Sequence, residues 1–133
     1  MGRKSTDKGK AGERELANVI NDLTGLTLRR KLGASRDGGS DLEGLDGWSI
    51  ECKRTKVSAI PAWWEQTCEQ AAADGDKPVL MYRLDGKRGW RTIFLMADAG
   101  VPCAADLWCE TTIGTFLDVA GFIQPEEDPN GSN

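Results

Sequence analysis

Ser40-Asp41-Leu42-Glu43-Gly44-Leu45-Asp46-Gly47-Trp48-Ser49-Ile50-Glu51-Cys52-Lys53, entered from Gly38-Gly39, reads as two extended runs joined by a turn. From Trp48 onward the residues alternate. Trp48, Ile50 and Cys52 share one face, and Ser49, Glu51 and Lys53 share the other. The apolar face suits a core. The polar face presents a carboxylate and an ammonium about 7 Å apart along a strand. The register of the hairpin decides what stands opposite them. A two-residue turn at Asp46-Gly47 would put Asp41 opposite Cys52, on the wrong face. A three-residue connection, Leu45-Asp46-Gly47, pairs Gly44 with Trp48 and Asp41 with Glu51. Asp followed by Gly suits a type I turn closed by a left-handed glycine. The expectation is therefore the longer connection, with Gly47 at positive φ.

Two carboxylates meeting beside an ammonium suit a hard divalent cation. Magnesium prefers oxygen ligands, and it keeps several waters while taking one or two carboxylates and a substrate phosphate. Asp41 and Glu51 would supply the carboxylates. Lys53 would position the attacking water or offset charge growing on a phosphate. The chemistry this set implies is metal-dependent hydrolysis of a phosphodiester. Glu-x-Lys alone occurs on many exposed strands and helices, so the inference rests on Asp41 joining it.

Composition narrows the alternatives. The 133 residues suffice for one domain with its own core. No apolar run approaches the ~18 residues that span a bilayer, and no apolar signal segment follows Met1-Gly2-Arg3-Lys4-Ser5-Thr6. Gly2 with Thr6 fits a myristoylation pattern, one that short sequences match often by chance. A cytoplasmic protein without a membrane partner is expected. Histidine is absent, which removes Ser-His-Asp and Cys-His nucleophiles and His-based metal sites. Cys52, Cys68, Cys103 and Cys109 lack a Cys-x-x-Cys spacing, and reduced, mostly buried thiols are expected. The net charge of −4 is uneven: residues 1–56 carry 12 Lys/Arg against 9 Asp/Glu, and residues 57–133 carry 5 against 12. A locally basic half on an acidic chain provides for phosphate contacts.

Periodicity places the remaining elements. Residues 1–10 read as a flexible basic N-terminus. Leu16, Val19, Ile20 and Leu23 form the stripe of a helix over about 11–24 that ends at Gly25. Glu13 falls at the edge of that stripe, while Glu15 is expected to face solvent. Residues 26–33 read as a strand entering a basic stretch, and residues 34–40 as loop. The spacing predicts a second helix over 60–74, with Pro61 in the first turn and Gly75 closing it, and Gln66 and Gln70 on one face. Trp63 and Trp64 are expected in the core or at a dimer interface, and Trp48, Trp90 and Trp108 in the core. Strands over 78–83 and 90–96 flank a turn at 85–89, an extended segment covers 106–110, and a short helix covers 112–120. Residues 125–133 read as a disordered acidic tail, leaving a single domain over 11–124. This order predicts an α/β fold, a three-layer α/β/α sandwich around a mixed central sheet.

These residues resemble the PD-(D/E)xK nucleases of the restriction-endonuclease-like fold, and more narrowly the archaeal-type and phage-encoded Holliday junction resolvases. The likeness runs from Lys8 to about Arg91. It is carried by Lys10-Ala11-Gly12-Glu13-Arg14-Glu15-Leu16, Arg29-Arg30, Ser35, Ser40-Asp41, Ile50-Glu51-Cys52-Lys53, Trp63-Trp64-Glu65-Gln66 and Pro78-Val79-Leu80-Met81-Tyr82-Arg83. Ser40 stands where the family usually has proline. The resemblance implies Asp41, Glu51 and Glu13 as metal-binding acids, Lys53 as the catalytic lysine, an auxiliary role for Gln66, and a functional serine at Ser35.

The resulting expectation is a Mg²⁺-dependent, structure-selective DNA endonuclease, with Mn²⁺ able to substitute and no small-molecule cofactor. It would resolve four-way junctions in DNA recombination and act as a homodimer, in the host cytoplasm if phage-encoded. Arg29, Arg30, Lys31, Ser35, Arg36, Arg54 and Lys56 would contact the DNA backbone. The alternatives are a nuclease of this fold acting on linear or nicked duplex, and a DNA-binding module of the same fold that does not cut.

Overall fold

The computed structural model describes residues 3–31 and 41–123. Ser35, Arg36 and Ser40, the loop around them, and the tail 125–133 lie outside the described residues. The elements run α1 (Arg3–Thr24), β1 (Arg29–Arg30), β2 (Leu42–Glu43), β3 (Trp48–Thr55), α2 (Ile60–Asp74), β4 (Lys77–Leu84), β5 (Arg91–Leu95), a 3₁₀ turn (Met96–Ala99), β6 (Trp108–Thr112) and α3 (Ile113–Val119). The strands form one sheet in sequence order, β1 to β6. Strands β3 and β4 are parallel, and every other neighbouring pair is antiparallel. A parallel pair needs a crossover, and α2 supplies it.

Strand alternation divides the core in two. Ile50, Val79, Met81 and Phe94 face Leu16 and Ile20 of α1 and Phe116 and Leu117 of α3. Leu80, Tyr82 and Ile93 face the other way and pack against Trp63 of α2. Helices thus cover both faces of a mixed sheet, giving the three layers expected. On the α1 side the contact is aromatic: Trp48 and Phe116 meet edge to face at 4.9 Å between ring centroids.

The hairpin takes the longer connection. Leu42 stands opposite Ile50, Trp48 N donates to Leu45 O at 3.1 Å, and Gly47 has φ 85°. Helix α2 covers residues 60–74 with Gly75 left-handed at its end. Other expectations shift. Helix α1 begins at Arg3, because its first turns lie outside the apolar stripe from which it is read. Strand β1 has only two residues. Leu23 is exposed at the end of α1. Trp108 is 58% exposed, since it opens β6, the strand at the edge of the sheet. The four cysteines are free; Cys103 is exposed and the others are half-buried.

Gly44 gives one test of the hairpin. It has φ +118°, and a Cβ there would meet Leu28 Cα at 3.0 Å, whereas one on Gly47 would meet open space. Gly44→Ala should destabilise by about 2 kcal/mol or more, and Gly47→Ala by about 1 kcal/mol from backbone strain alone. Denaturant unfolding of the two variants measures the difference.

Candidate active site

The hairpin register brings Asp41 beside Glu51. Asp41 N donates to Ile50 O at 2.9 Å, and Asp41 Oδ2 accepts from the Cys52 backbone N–H at 2.8 Å. The aspartate is therefore held at both its backbone and its side chain. Glu51 projects from the middle of β3 and is only 3% exposed. Lys53, two residues on and on the same face, brings Nζ to 3.3 Å from Glu51 Oε1. Glu51 Oε2 is buried and has no hydrogen-bond partner among the described residues.

Burial dominates the electrostatics. It raises the Asp41 carboxyl from 3.8 to about 6, against the lowering effect of the Cys52 N–H, with Glu13 adding repulsion and Lys53 attraction. It raises Glu51 from 4.5 to about 8, with the Asp41 charge pushing the same way and Lys53 opposing. Ionising both carboxyls together is therefore costly, and Glu51 is pushed up further than Asp41, as like charges held close require. The Cys52 thiol, on the opposite face of β3, is pushed well up by burial and by the surrounding carboxylates.

Glu13 comes near enough to repel Asp41, yet its own carboxylate is occupied. Glu13 Oε1 accepts from Arg30 Nε at 2.9 Å. Among the described residues no three His, Cys, Asp or Glu side chains are grouped as a metal site. The structure thus brings together Asp41, Glu51 and Lys53, with Glu13 turned to an arginine beside them. Gln66 is exposed. The buried arc of α2 is Trp63, Thr67 and Ala71, and Gln66 lies at its edge, about 60° from Trp63. Gln70, one turn on, carries a buried Oε1 with no hydrogen-bond partner among the described residues.

The expected backbone-contacting cations are mostly paired within the chain. Arg29, 78% exposed, reaches Glu43 at 3.0 Å. Lys31 reaches Asp74 at 3.8 Å, and Arg54 reaches Glu15 at 3.5 Å. Lys56 is exposed. Glu15, expected in solvent, accepts from Arg83 Nη1 and, at 3.1 Å, from Trp90 Nε1. Its partners lie on β4 and just before β5, where helical periodicity carries no signal.

Residues 4–98 match the model of the family described as "Phage putative PDDEXK endonuclease". The chain belongs to this PD-(D/E)xK endonuclease family. The match spans α1, the hairpin, α2, β4 and β5 and ends in the 3₁₀ turn, so Asp41, Glu51 and Lys53 lie within it. The mixed six-stranded sheet with helices on both faces is the α/β architecture in which this match sits. Among solved structures the chain is similar to Hjc, a Holliday junction resolvase of the archaeal hyperthermophile Archaeoglobus fulgidus. The two are 23% identical over 60% of this chain and 70% of that one, with a TM-score of 0.44. No curated protein matches the chain. No helix among the described residues of this PD-(D/E)xK family member is long and apolar enough to cross a membrane.

Proposed function

We propose that the chain is a divalent-metal-dependent, structure-selective DNA endonuclease that resolves four-way junctions as a homodimer. The observation that supports this most is the buried pair Asp41 and Glu51 beside Lys53. Two desolvated carboxyls that repel each other, one with an unpartnered oxygen, would weaken a fold that used them for structure alone. A hard cation fits the set, because it satisfies the spare oxygen and offsets both charges. Asp41 and Glu51 would hold it, with Glu13 able to join by releasing Arg30. When bound, magnesium supplies Lewis-acid activation of water and phosphate, and manganese would substitute.

The chain's own residues do the rest. The Cys52 N–H and the strand bond to Ile50 hold Asp41 at a set position, so its carboxylate needs little reorganisation. Lys53 Nζ, next to Glu51, donates to a phosphate oxygen as negative charge grows there, or holds the attacking water in line. Burial of Glu51 excludes bulk water and strengthens these charge contacts. Cutting both strands of a symmetric branch needs two such sites, which a two-fold dimer provides.

The test compares labelled four-way junction, fork and linear duplex in Mg²⁺ and in EDTA. Symmetric cleavage of the junction in Mg²⁺, sparing of duplex, and binding without product in EDTA are expected. Equal cutting of linear duplex would make the chain a duplex nuclease. Junction binding with no product in Mg²⁺ or Mn²⁺ would make it a DNA-binding module.

A further inference from the structure

Arg54 and Arg83 stand directly opposite each other on the parallel strands β3 and β4. Neighbouring strands lie about 4.8 Å apart, and like charges so placed are destabilising. The chain tolerates the pair by bridging it. Glu15 Oε1 accepts from Arg83 Nη1, and Glu15 Oε2 lies 3.5 Å from Arg54 Nη1. One carboxylate between two guanidiniums leaves a net positive charge.

Both arginines are held in place rather than loose. Arg83 Nε donates to Lys87 O at 3.2 Å in the β4–β5 turn, so the guanidinium is fixed from two sides. The stem of Arg54 runs across Gly12 of α1, where an added Cβ would meet Arg54 Cβ at 3.1 Å and Cδ at 3.5 Å. Arg54 Nε is buried with no hydrogen-bond partner among the described residues. Each side chain still keeps 30% of its surface open. The result is a rigid, half-open, cationic fork with donors to spare, on the α1 side of the sheet, opposite the face of β3 that carries Glu51 and Lys53.

We infer that Arg54 and Arg83 form a phosphate-binding site for the DNA backbone, one that receives a phosphodiester away from the cleaved one, on the α1 side of the sheet. The inference rests on the endonuclease reading for its ligand. Planar guanidiniums fixed in a fork match the oxygens of a phosphodiester. A salt clamp made only to tie α1 to the sheet would need a single arginine opposite Glu15. The second arginine adds repulsion with no gain in tethering, and a phosphate relieves it.

Counterion release distinguishes the two roles. Each lysine or arginine that neutralises a DNA phosphate contributes about 0.9 to the slope of log affinity against log salt. The measurement is binding of a labelled four-way junction to the full chain in EDTA across a salt series. It uses wild type, Arg83→Gln, Arg54→Gln and the double variant, with unfolding temperatures alongside. Each single substitution should flatten the slope by about one and weaken binding about tenfold at moderate salt, and the double variant should flatten it by about two. Arg83→Lys, which keeps the charge, covers the case in which Arg83→Gln does not fold, and should keep the slope while losing affinity. Unchanged slope and affinity, whatever happens to the unfolding temperature, would overturn the site and leave a structural clamp. Wild type that binds no DNA would overturn this site and the endonuclease reading together. Wild type that binds without cutting in Mg²⁺, with the slope still falling in the variants, would sink the endonuclease reading while upholding the site.

Discussion

Asp41→Asn and Glu51→Gln should each reduce junction cleavage by about a thousandfold or more while leaving junction binding in EDTA close to wild type. The magnitude follows from what each acid does. A preorganised charge at a reacting phosphate is worth about two or three orders of magnitude, and a metal site with one carboxylate left loses its cation as well. Neither substitution changes volume much, and the amide oxygen that Asp41→Asn introduces would still accept the Cys52 N–H that the carboxylate accepts now. Loss of cleavage would therefore be a loss of chemistry rather than of fold. Lys53→Ala should cost less, about a hundredfold, because it removes a charge beside the reacting group but not a ligand. Single-turnover rates on labelled junction, with affinities measured in parallel, separate the two effects. Cleavage by Asp41→Asn at the wild-type rate would contradict the assignment of this residue.

The same two acids make the metal-free fold sensitive to alkali. Their carboxyls titrate near 3.8 and 4.5 when unperturbed, and at about 6 and about 8 in the fold. The folded chain therefore holds these protons more tightly than the unfolded chain. The stability tied to them is complete below about pH 4 and is lost as pH rises through 6 and then 8. In EDTA the wild type should weaken across that window by an amount on the order of a few kcal/mol. Glu51→Gln removes the larger share: it cannot ionise, and its amide can donate to Asp41. At pH 8–9 in EDTA this variant should be the more stable protein, by on the order of 2 kcal/mol. Adding Mg²⁺ should restore the wild type through binding to the folded state and leave Glu51→Gln unmoved. Urea unfolding at pH 5, 7 and 9, with and without Mg²⁺, gives all these comparisons. A Glu51→Gln protein weaker than wild type at high pH would mean that the glutamate stabilises the fold.

Local chemistry makes much of this readable in advance. Asp46-Gly47 specifies the connection, the connection specifies the register, and the register sets Asp41 beside Glu51. Pro61 and Gly75 bound α2 at its observed ends. What cannot be read depends on partners far along the chain. Glu15 finds Arg83 and Trp90 across separations of 68 and 75 residues, and no helical period reports an arginine on a distant strand. The same blindness affects Glu13: its place at the edge of the apolar stripe is legible, while its bond to Arg30 is not. Residue type assigns Trp108 to the core, but an edge strand leaves its outer surface bare. The auxiliary role of Gln66 comes from a likeness to a family, and its side chain is exposed on α2.

The most direct test of the central claim is calorimetric titration of Mn²⁺ into the DNA-free wild type and into Asp41→Asn and Glu51→Gln near pH 7, repeated in buffers of different ionisation enthalpy. The shared site predicts that wild type binds the ion and releases a proton as Glu51 ionises, and that both variants lose most of the affinity. Binding that is equally strong in all three proteins, or no binding to the wild type with or without junction DNA, would contradict it.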